Sequence, residues 1–306
     1  MADEATHISL GEQAASQLAN ITKTAPIYGA ITPRWIVRLL DWKPLEAGIF
    51  RRNRVVEDKT IEVLCSREQE SAIPSTWAQY EEKPREYRLT SINALVNVDT
   101  RIGDLFSKPH DQTREQLRLT IETVKERQEN ELLNNADYGL LNNVADSQRI
   151  STRKGAPTPD DLDELLTKVW KEPSFFVANP LAIAAFGREC TRRGVPPPTV
   201  TLFGSPFLTW RGVPLIPSNK VHIAGKTPKT RILLVRVGER KQGVIGLFQP
   251  GLTGEQSPGL SVRFTGINEK GLASYLISLY CSASVLSDDA IASLDNVEVG
   301  HYHEYN

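Results

Sequence analysis

Apolar and polar residues alternate with different periods along this chain, and the changes of period divide it into segments. Near the N-terminus, Ser9-Leu10-Gly11-Glu12 has capping-box spacing, with Ala14, Ala15 and Leu18 following on one face of a short helix. Thr32 caps and Pro33 opens a second helix, whose stripe is Trp35, Ile36, Leu39 and Leu40 and whose end is Pro44. Two short apolar-faced helices joined by irregular chain cannot bury themselves. They need a partner surface, on this chain or on another copy.

Residues 46–100 read as extended. Gly48-Ile49-Phe50 opens the run, and Glu57-Asp58-Lys59 turns it into the alternating Thr60-Ile61-Glu62-Val63-Leu64. Ser66 to Arg88, with Pro74 and Pro84, reads as a long polar loop. From Leu89 to Val98 the period is two again, and Thr90, Ile92, Ala94, Val96 and Val98 form the more apolar face.

A long helix is predicted over 111–135, capped by Asp111. It buries Leu117, Ile121, Val124 and Leu132, with Gln128 interrupting, and presents Glu122, Lys125, Glu126 and Glu129 on the opposite face. Such a helix spans roughly 35 Å at ~1.5 Å per residue. Thr158-Pro159 begins another helix, with Asp160, Asp161, Asp163 and Glu164 near its positive end and Leu162, Leu165, Leu166 and Val169 inward, closed by Pro173. Phe175-Phe176-Val177 is a short buried strand. Asn179-Pro180 starts a helix running to Arg193, with Gly194 as its left-handed cap. Thr230 to Val237 is β-rich, Gly238 to Gly259 is loop or hairpin, Asn268 caps a helix from Glu269 to about Leu286, and Val297 to Tyr305 is a terminal strand.

Composition narrows the function. The 306 residues carry 36 Lys and Arg against 37 Asp and Glu, a net charge of −1, which disfavours a nucleic-acid container. The acidic start Met1-Ala2-Asp3-Glu4 reads as no secretory signal. The richest apolar stretch, Tyr275 to Leu286, is broken by Ser278, Ser282 and Ser284 and is too short to span a bilayer. Cys65, Cys190 and Cys281 lie far apart, which fits a reducing cytoplasm.

No catalytic, cofactor or metal constellation emerges. Gly225-Lys226-Thr227 resembles the end of a phosphate loop, but Lys220 stands where the pattern requires its first Gly, so the stretch reads as a basic turn. Gly204-Ser205-Pro206 lacks the nucleophile-elbow pattern. Cys190 sits among arginines with no histidine partner and reads as a packed thiol. His301, His303 and Glu304 read as a solvated terminal strand before a metal pair, and His7, His110 and His222 are isolated. Arg51, Arg52 and Arg54 read as solvated or as facing a carboxylate-rich neighbour. What remains distinctive is architectural: an arm, a polar two-stranded excursion, a long helix and an α/β region. That combination fits a subunit that locks to its neighbours.

This order resembles the tailed-bacteriophage (Hong Kong-type) major capsid fold, an α+β fold with N-terminal arm, extended loop, peripheral domain with spine helix, and axial domain. Phe175-Phe176-Val177-Ala178-Asn179-Pro180, the helix ending Arg192-Arg193-Gly194, and Leu202-Phe203-Gly204-Ser205-Pro206 with Val213-Pro214 resemble recurring capsid elements. Gln17-Leu18-Ala19-Asn20-Ile21-Thr22-Lys23-Thr24, Ile31-Thr32-Pro33-Arg34-Trp35 and Gly48-Ile49-Phe50-Arg51-Arg52-Asn53-Arg54-Val55 are more specifically similar to the second (2A-type) encapsulin family.

The resemblance implies five parts: an arm over 1–45, an extended loop with adjoining strands over 46–100, a peripheral domain over 101–156, an axial domain over 157–265, and a C-terminal helix and strand over 266–306 returning to the peripheral domain. It implies a cytoplasmic icosahedral nanocompartment shell of about sixty copies around a cargo enzyme. No inserted cyclic-nucleotide-binding-like domain has room here. The branch without it encloses a pyridoxal-phosphate cysteine desulfurase linked to sulfur metabolism, whose chemistry would belong to the cargo. Trp35, Ile36, Leu39, Leu40, Arg51, Arg52 and Arg54 are the expected assembly residues, and Gly238–Gly259 is the expected pore loop. The rival readings are a phage or prophage capsid subunit and a cytosolic enzyme.

Overall fold

The computed structural model describes residues 31–55, 79–98, 112–225 and 228–302. Two large sheets and one two-stranded pair are formed by these residues. In the first, β1 (Asp41–Pro44) runs parallel to β11 (Val244–Phe248), which pairs with β14 (Ala273–Val285). β14 then pairs with β13 (Leu260–Ile267) on one side and β4 (Thr90–Val98) on the other, and β12 (Glu255–Ser257) closes the sheet edge. The long helix α2 (Gln112–Asn134) lies across this sheet, burying Val124 against Ile277, Leu279 and Cys281. The alternation in β4 does what its pattern predicts: Thr90, Ile92, Ala94, Val96 and Val98 turn inward, and Ser91, Asn93, Leu95 and Asn97 outward.

The second sheet has the order β5 (Arg149–Ser151), β15 (Ile291–Glu298), β10 (Lys229–Val235), β6 (Phe175–Ala178), β9 (Val213–Pro217), β8 (Ser205–Trp210), β7 (Thr199–Leu202). Helices α3 (Pro159–Lys168) and α4 (Pro180–Arg192) cover one face through Leu162, Leu165, Val169, Phe186 and Cys190. The other face brings Phe175, Val177, Leu233 and Val235 into one core with Leu132 and Leu133 of α2. Both helix starts follow from local chemistry. Thr158 and Asp161 form a capping box ahead of Pro159, and the Asn179 side chain accepts from Leu181 N at 3.0 Å beside Pro180. Gly194, at φ +71°, ends α4 as its cap position requires.

Several expectations are corrected. The helix expected from Glu269 to Leu286 is the strand β14. Ile277, Leu279, Cys281, Ala283 and Val285 alternate with Ser278, Tyr280, Ser282 and Ser284, which is a period of two. Asn268 caps no helix; its Oδ1 accepts from Lys270 N at 3.0 Å and Leu272 N at 2.9 Å, making the turn between β13 and β14. Residues 244–267 pair in the first sheet, and 291–298 run inside the second. β11 in the expected pore loop is a buried strand. The long polar loop ends earlier than expected, because Arg85–Arg88 is strand β3, paired with β2 (Ile49–Arg52). The first described helix, α1 (Trp35–Leu39), stops well before Pro44, and Thr32 does not cap it.

The expected helix around Ser9–Leu18, the turn at Glu57–Lys59 with its strand, the Asp111 cap, and His7, His110, Lys226, Thr227, His303, Glu304 and Cys65 lie outside the described residues.

Candidate assembly site

Ahead of α1 the chain is gripped by the long helix. Thr32 N donates to Glu126 Oε1 at 2.9 Å, and Thr32 Oγ1 donates to the same carboxylate. Arg34 Nη1 lies 2.6 Å from Glu122 Oε2 and 3.2 Å from Glu126 Oε1. Ile36 N donates to Glu129 Oε1 at 3.4 Å. Lys220 completes the cluster: its Nζ bonds Glu126 and Thr32 Oγ1 (3.1 Å) and stands 3.8 Å from Glu129. Arg34 holds φ +50°, a left-handed conformation that costs a non-glycine residue roughly 1–3 kcal/mol and persists only where the surroundings over-determine it. The two carboxylates on its guanidinium supply that constraint.

The cluster is asymmetric electrically. Burial alone would raise Glu126, but the hydrogen bonds from Lys220 and Thr32 outweigh it and hold this carboxyl below its ordinary value. Glu129 is almost wholly buried, and that burial outweighs the pull of Lys220, so its pKa is raised. Glu122, Glu126 and Glu129, expected on the face opposite the apolar stripe, therefore hold residues 32–36. Their i, i+4, i+7 spacing on one helix face was the available signal.

The apolar stripe packs within the same chain. Trp35, Ile36 and Leu40 are buried, with Leu39 half-buried beside them. The Trp35 ring lies 5.6 Å from Phe203, near parallel, and 5.1 Å from Phe207, edge-on.

The three arginines of the excursion diverge. Arg51 pairs across the β2–β3 ladder with Glu86 at 2.7 Å. Arg52 donates to Val285 O at 2.6 Å and faces Asp288 at 3.8 Å. Arg54 donates to Asp288 Oδ2 at 2.6 Å. Residues 286–290 connect β14 of the first sheet to β15 of the second. In the same link, Asp289 binds the buried Arg236 at 2.7 Å and Lys171 at 2.8 Å. Burial would raise Asp289, yet Arg236, Lys171 and Ser287 hold it far below the usual carboxylate range. Two adjacent aspartates thus tie the excursion base and the second sheet to one connection.

The other candidate groups are structural. Burial pushes the Cys190 thiol up to about 11 and Cys281 to about 12. His301 Nε2 lies 2.5 Å from Glu298, in an ion-paired corner with Lys229. Asp161 caps α3, and Asp163 binds Arg211 and Trp210. Among the described residues no group of His, Cys, Asp and Glu could hold a metal, and no helix is long and apolar enough to cross a membrane.

The family described as type 2A encapsulin shell protein SrpI-like matches residues 48–301. The chain is 65% identical over 305 residues to the type 2A encapsulin shell protein SrpI of Synechococcus elongatus, covering 100% of this chain and 99% of that protein. It is 60% identical over 299 residues to a type 2A encapsulin shell protein of Mycolicibacterium paratuberculosis, covering 97% of each. The cryoEM structure of the holo-SrpI encapsulin complex superposes with a TM-score of 0.84 at 62% identity, over 98% of this chain and 100% of that one. A solved structure from Microbacterium phage Oxtober96 shares the fold alone, at TM-score 0.60 and 12% identity over 94% of this chain and 99% of that one.

Proposed function

The chain belongs to the type 2A encapsulin shell protein family, and from that premise we propose that about sixty copies of it close into an icosahedral, cytoplasmic nanocompartment around a cargo enzyme. The observation that carries this reading is the superposition on the SrpI shell subunit across 98% of the chain. The first sheet with α2 is the peripheral body, the second sheet with α3 and α4 is the axial body, and the excursion that begins at β2 laps a neighbouring subunit. Trp35, Ile36, Leu39 and Leu40 act in assembly by fixing the arm under its own long helix. Arg51, Arg52 and Arg54 act by setting the direction in which the excursion leaves the subunit.

The cargo is a pyridoxal-phosphate cysteine desulfurase serving sulfur metabolism. The support is the chain's match to SrpI over 99% of that protein's length, which fits the branch lacking an inserted domain. The subunit's own work is enclosure.

Size-exclusion chromatography and negative-stain microscopy of purified protein test the reading. Hollow particles of uniform diameter are expected; a species no larger than a tetramer would overturn it. Co-purified nucleic acid in stoichiometric amount would point instead to a phage capsid. Mass spectrometry of protein co-purified from the native host tests the cargo: a pyridoxal-phosphate desulfurase is expected, and any other enclosed enzyme overturns that part.

A further inference from the structure

Two stretches of chain cross between the sheets side by side: 236–243, from β10 to β11, and 286–290, from β14 to β15. They are bonded to each other, with Arg236 N donating to Ala290 O at 2.8 Å and Leu286 N to Gly243 O at 3.2 Å. The first stretch also closes on itself. Val244 N donates to Arg236 O at 2.7 Å, and a Cβ on Gly243 would stand 2.5 Å from that oxygen, so only glycine fits there. Arg236 runs through this junction. It is the largest of the fully buried side chains described, at 1% exposed. Its Nη2 donates to Asp289 Oδ1 at 2.7 Å on one stretch and reaches Gln242 O at 3.5 Å on the other, while Nη1 donates to Asp289 Oδ2 at 3.4 Å. Its Nε has no partner among the described residues.

A buried ion pair is a poor source of stability, because taking a guanidinium out of water costs about as much as the pairing gives, and apolar side chains of the same volume do as well or better. What the planar fork supplies is direction, since it holds its carboxylate in one orientation. The core shared by the two sheets does not supply this. Leu132, Leu133, Phe175, Val177 and Ile245 are apolar, and apolar contact is non-directional. We propose that Arg236 is a positioning residue for the shell, a role that rests on the shell reading above. By fixing the two crossings to each other it sets the angle between the sheets, and through it the curvature at which copies close. In a closed shell every identical subunit repeats the same angle, so an error in it recurs at every contact. A residue that only stabilised the fold would change how readily particles melt and not how wide they are.

Particle diameters in cryo-electron micrographs of the wild type, Arg236→Lys and Arg236→Met/Asp289→Asn, read beside their thermal midpoints, are the test. Arg236→Lys keeps the charge and loses the fork. It should assemble into particles whose spread of diameters is at least about twofold broader than that of the wild type, since packing loses uniqueness before it loses stability. The double variant removes the buried charge pair, so its thermal midpoint should lie above that of Arg236→Lys while its diameters stay as broad. The wild-type spread of diameters in either variant would overturn the proposal. So would failure of both variants to fold, which would assign Arg236 to stability alone. A wild type that forms no particles would sink the shell reading, and this role with it; uniform particles in all three proteins would sink only this role.

Discussion

Arg54 Nη2 donates to Asp288 Oδ2 at 2.6 Å, joining residues 234 positions apart in sequence. Both side chains are about one-third exposed or more, so the pair adds only about 0–1 kcal/mol to stability. Its consequence is directional, because it fixes the excursion base to the link between the sheets. Asp288→Arg should therefore lower particle yield several-fold while moving the thermal midpoint of the isolated subunit by no more than a few degrees. The swapped pair Arg54→Asp/Asp288→Arg should recover much of the yield. Unchanged yield in the single variant would remove this contact from assembly.

Gly246 of β11 faces the Trp42 ring. A Cβ there would stand 2.6 Å from Trp42 Cε3, inside any allowed contact. β1 pairs in register with β11 at this point, Trp42 opposite Gly246, and Trp42 Nε1 donates to Val37 O at 2.8 Å, so turning the ring away would break that hydrogen bond. Gly246→Val should cost at least about 1–3 kcal/mol as an overpacking substitution. Chemical denaturation of the variant checks it; a loss below about 0.5 kcal/mol would show that the ring has room to shift.

Cys190 and Cys281 are both fully buried, and burial pushes their thiols to about 11 and about 12. The thiolate is the reactive form, so both should resist iodoacetamide at pH 8 in the native particle and react once it is denatured. Mass spectrometry of labelled peptides reads the result. Native labelling of Cys190 would reopen the reading of that residue as a nucleophile beside its arginines.

The elements legible in sequence were those whose signals are local. Thr158-Pro159 and Asn179-Pro180 fix helix starts through side-chain caps and proline's preset φ, needing nothing distant. The period of two in Thr90–Val98 identified its inward face for the same reason. The misreadings share a cause of the opposite kind. Asn268 has the side chain of a cap, but whether it starts a helix or closes a turn depends on the strand pairing of Ala273–Ile267 across it. Thr32 looks like a cap too, and a carboxylate 94 residues later takes its hydroxyl instead. Helix spacing sets Glu129 on the face opposite the apolar stripe, but does not reveal that Lys220 and the arm close over that flank.

Lys220 is the cation shared by both helix carboxylates, with its side chain 11% exposed. Removing one member of such a cluster strands the others without compensation. Lys220→Met should destabilise the subunit by about 3 kcal/mol, and Lys220→Met/Glu126→Gln should recover part of that loss. Denaturant titration of the single and double variants decides it. Simple additivity would mean that Lys220 and Glu126 are energetically independent despite their contact.

Glu126 and Glu129 should respond to pH with opposite signs. The folded pKa of Glu126 lies below its ordinary value of 4.5, so its stabilisation is present above that pH and is lost as pH falls through the folded value. The folded pKa of Glu129 lies above 4.5, chiefly because of burial, so its favourable contribution is present below that pH and is lost as pH rises through the folded value. Glu126→Gln should therefore be less stable than the wild type at pH 7, with the gap closing as the solution is acidified. It should also lower the pKa of Glu129, since the neighbouring charge contributes to raising it. Glu129→Gln keeps an oxygen for Ile36 N and should gain on the wild type as pH rises from 4.5 to 8. Thermal midpoints of the three proteins between pH 3 and pH 8 test the pair of signs. Parallel curves would show that neither carboxylate changes its proton affinity on folding.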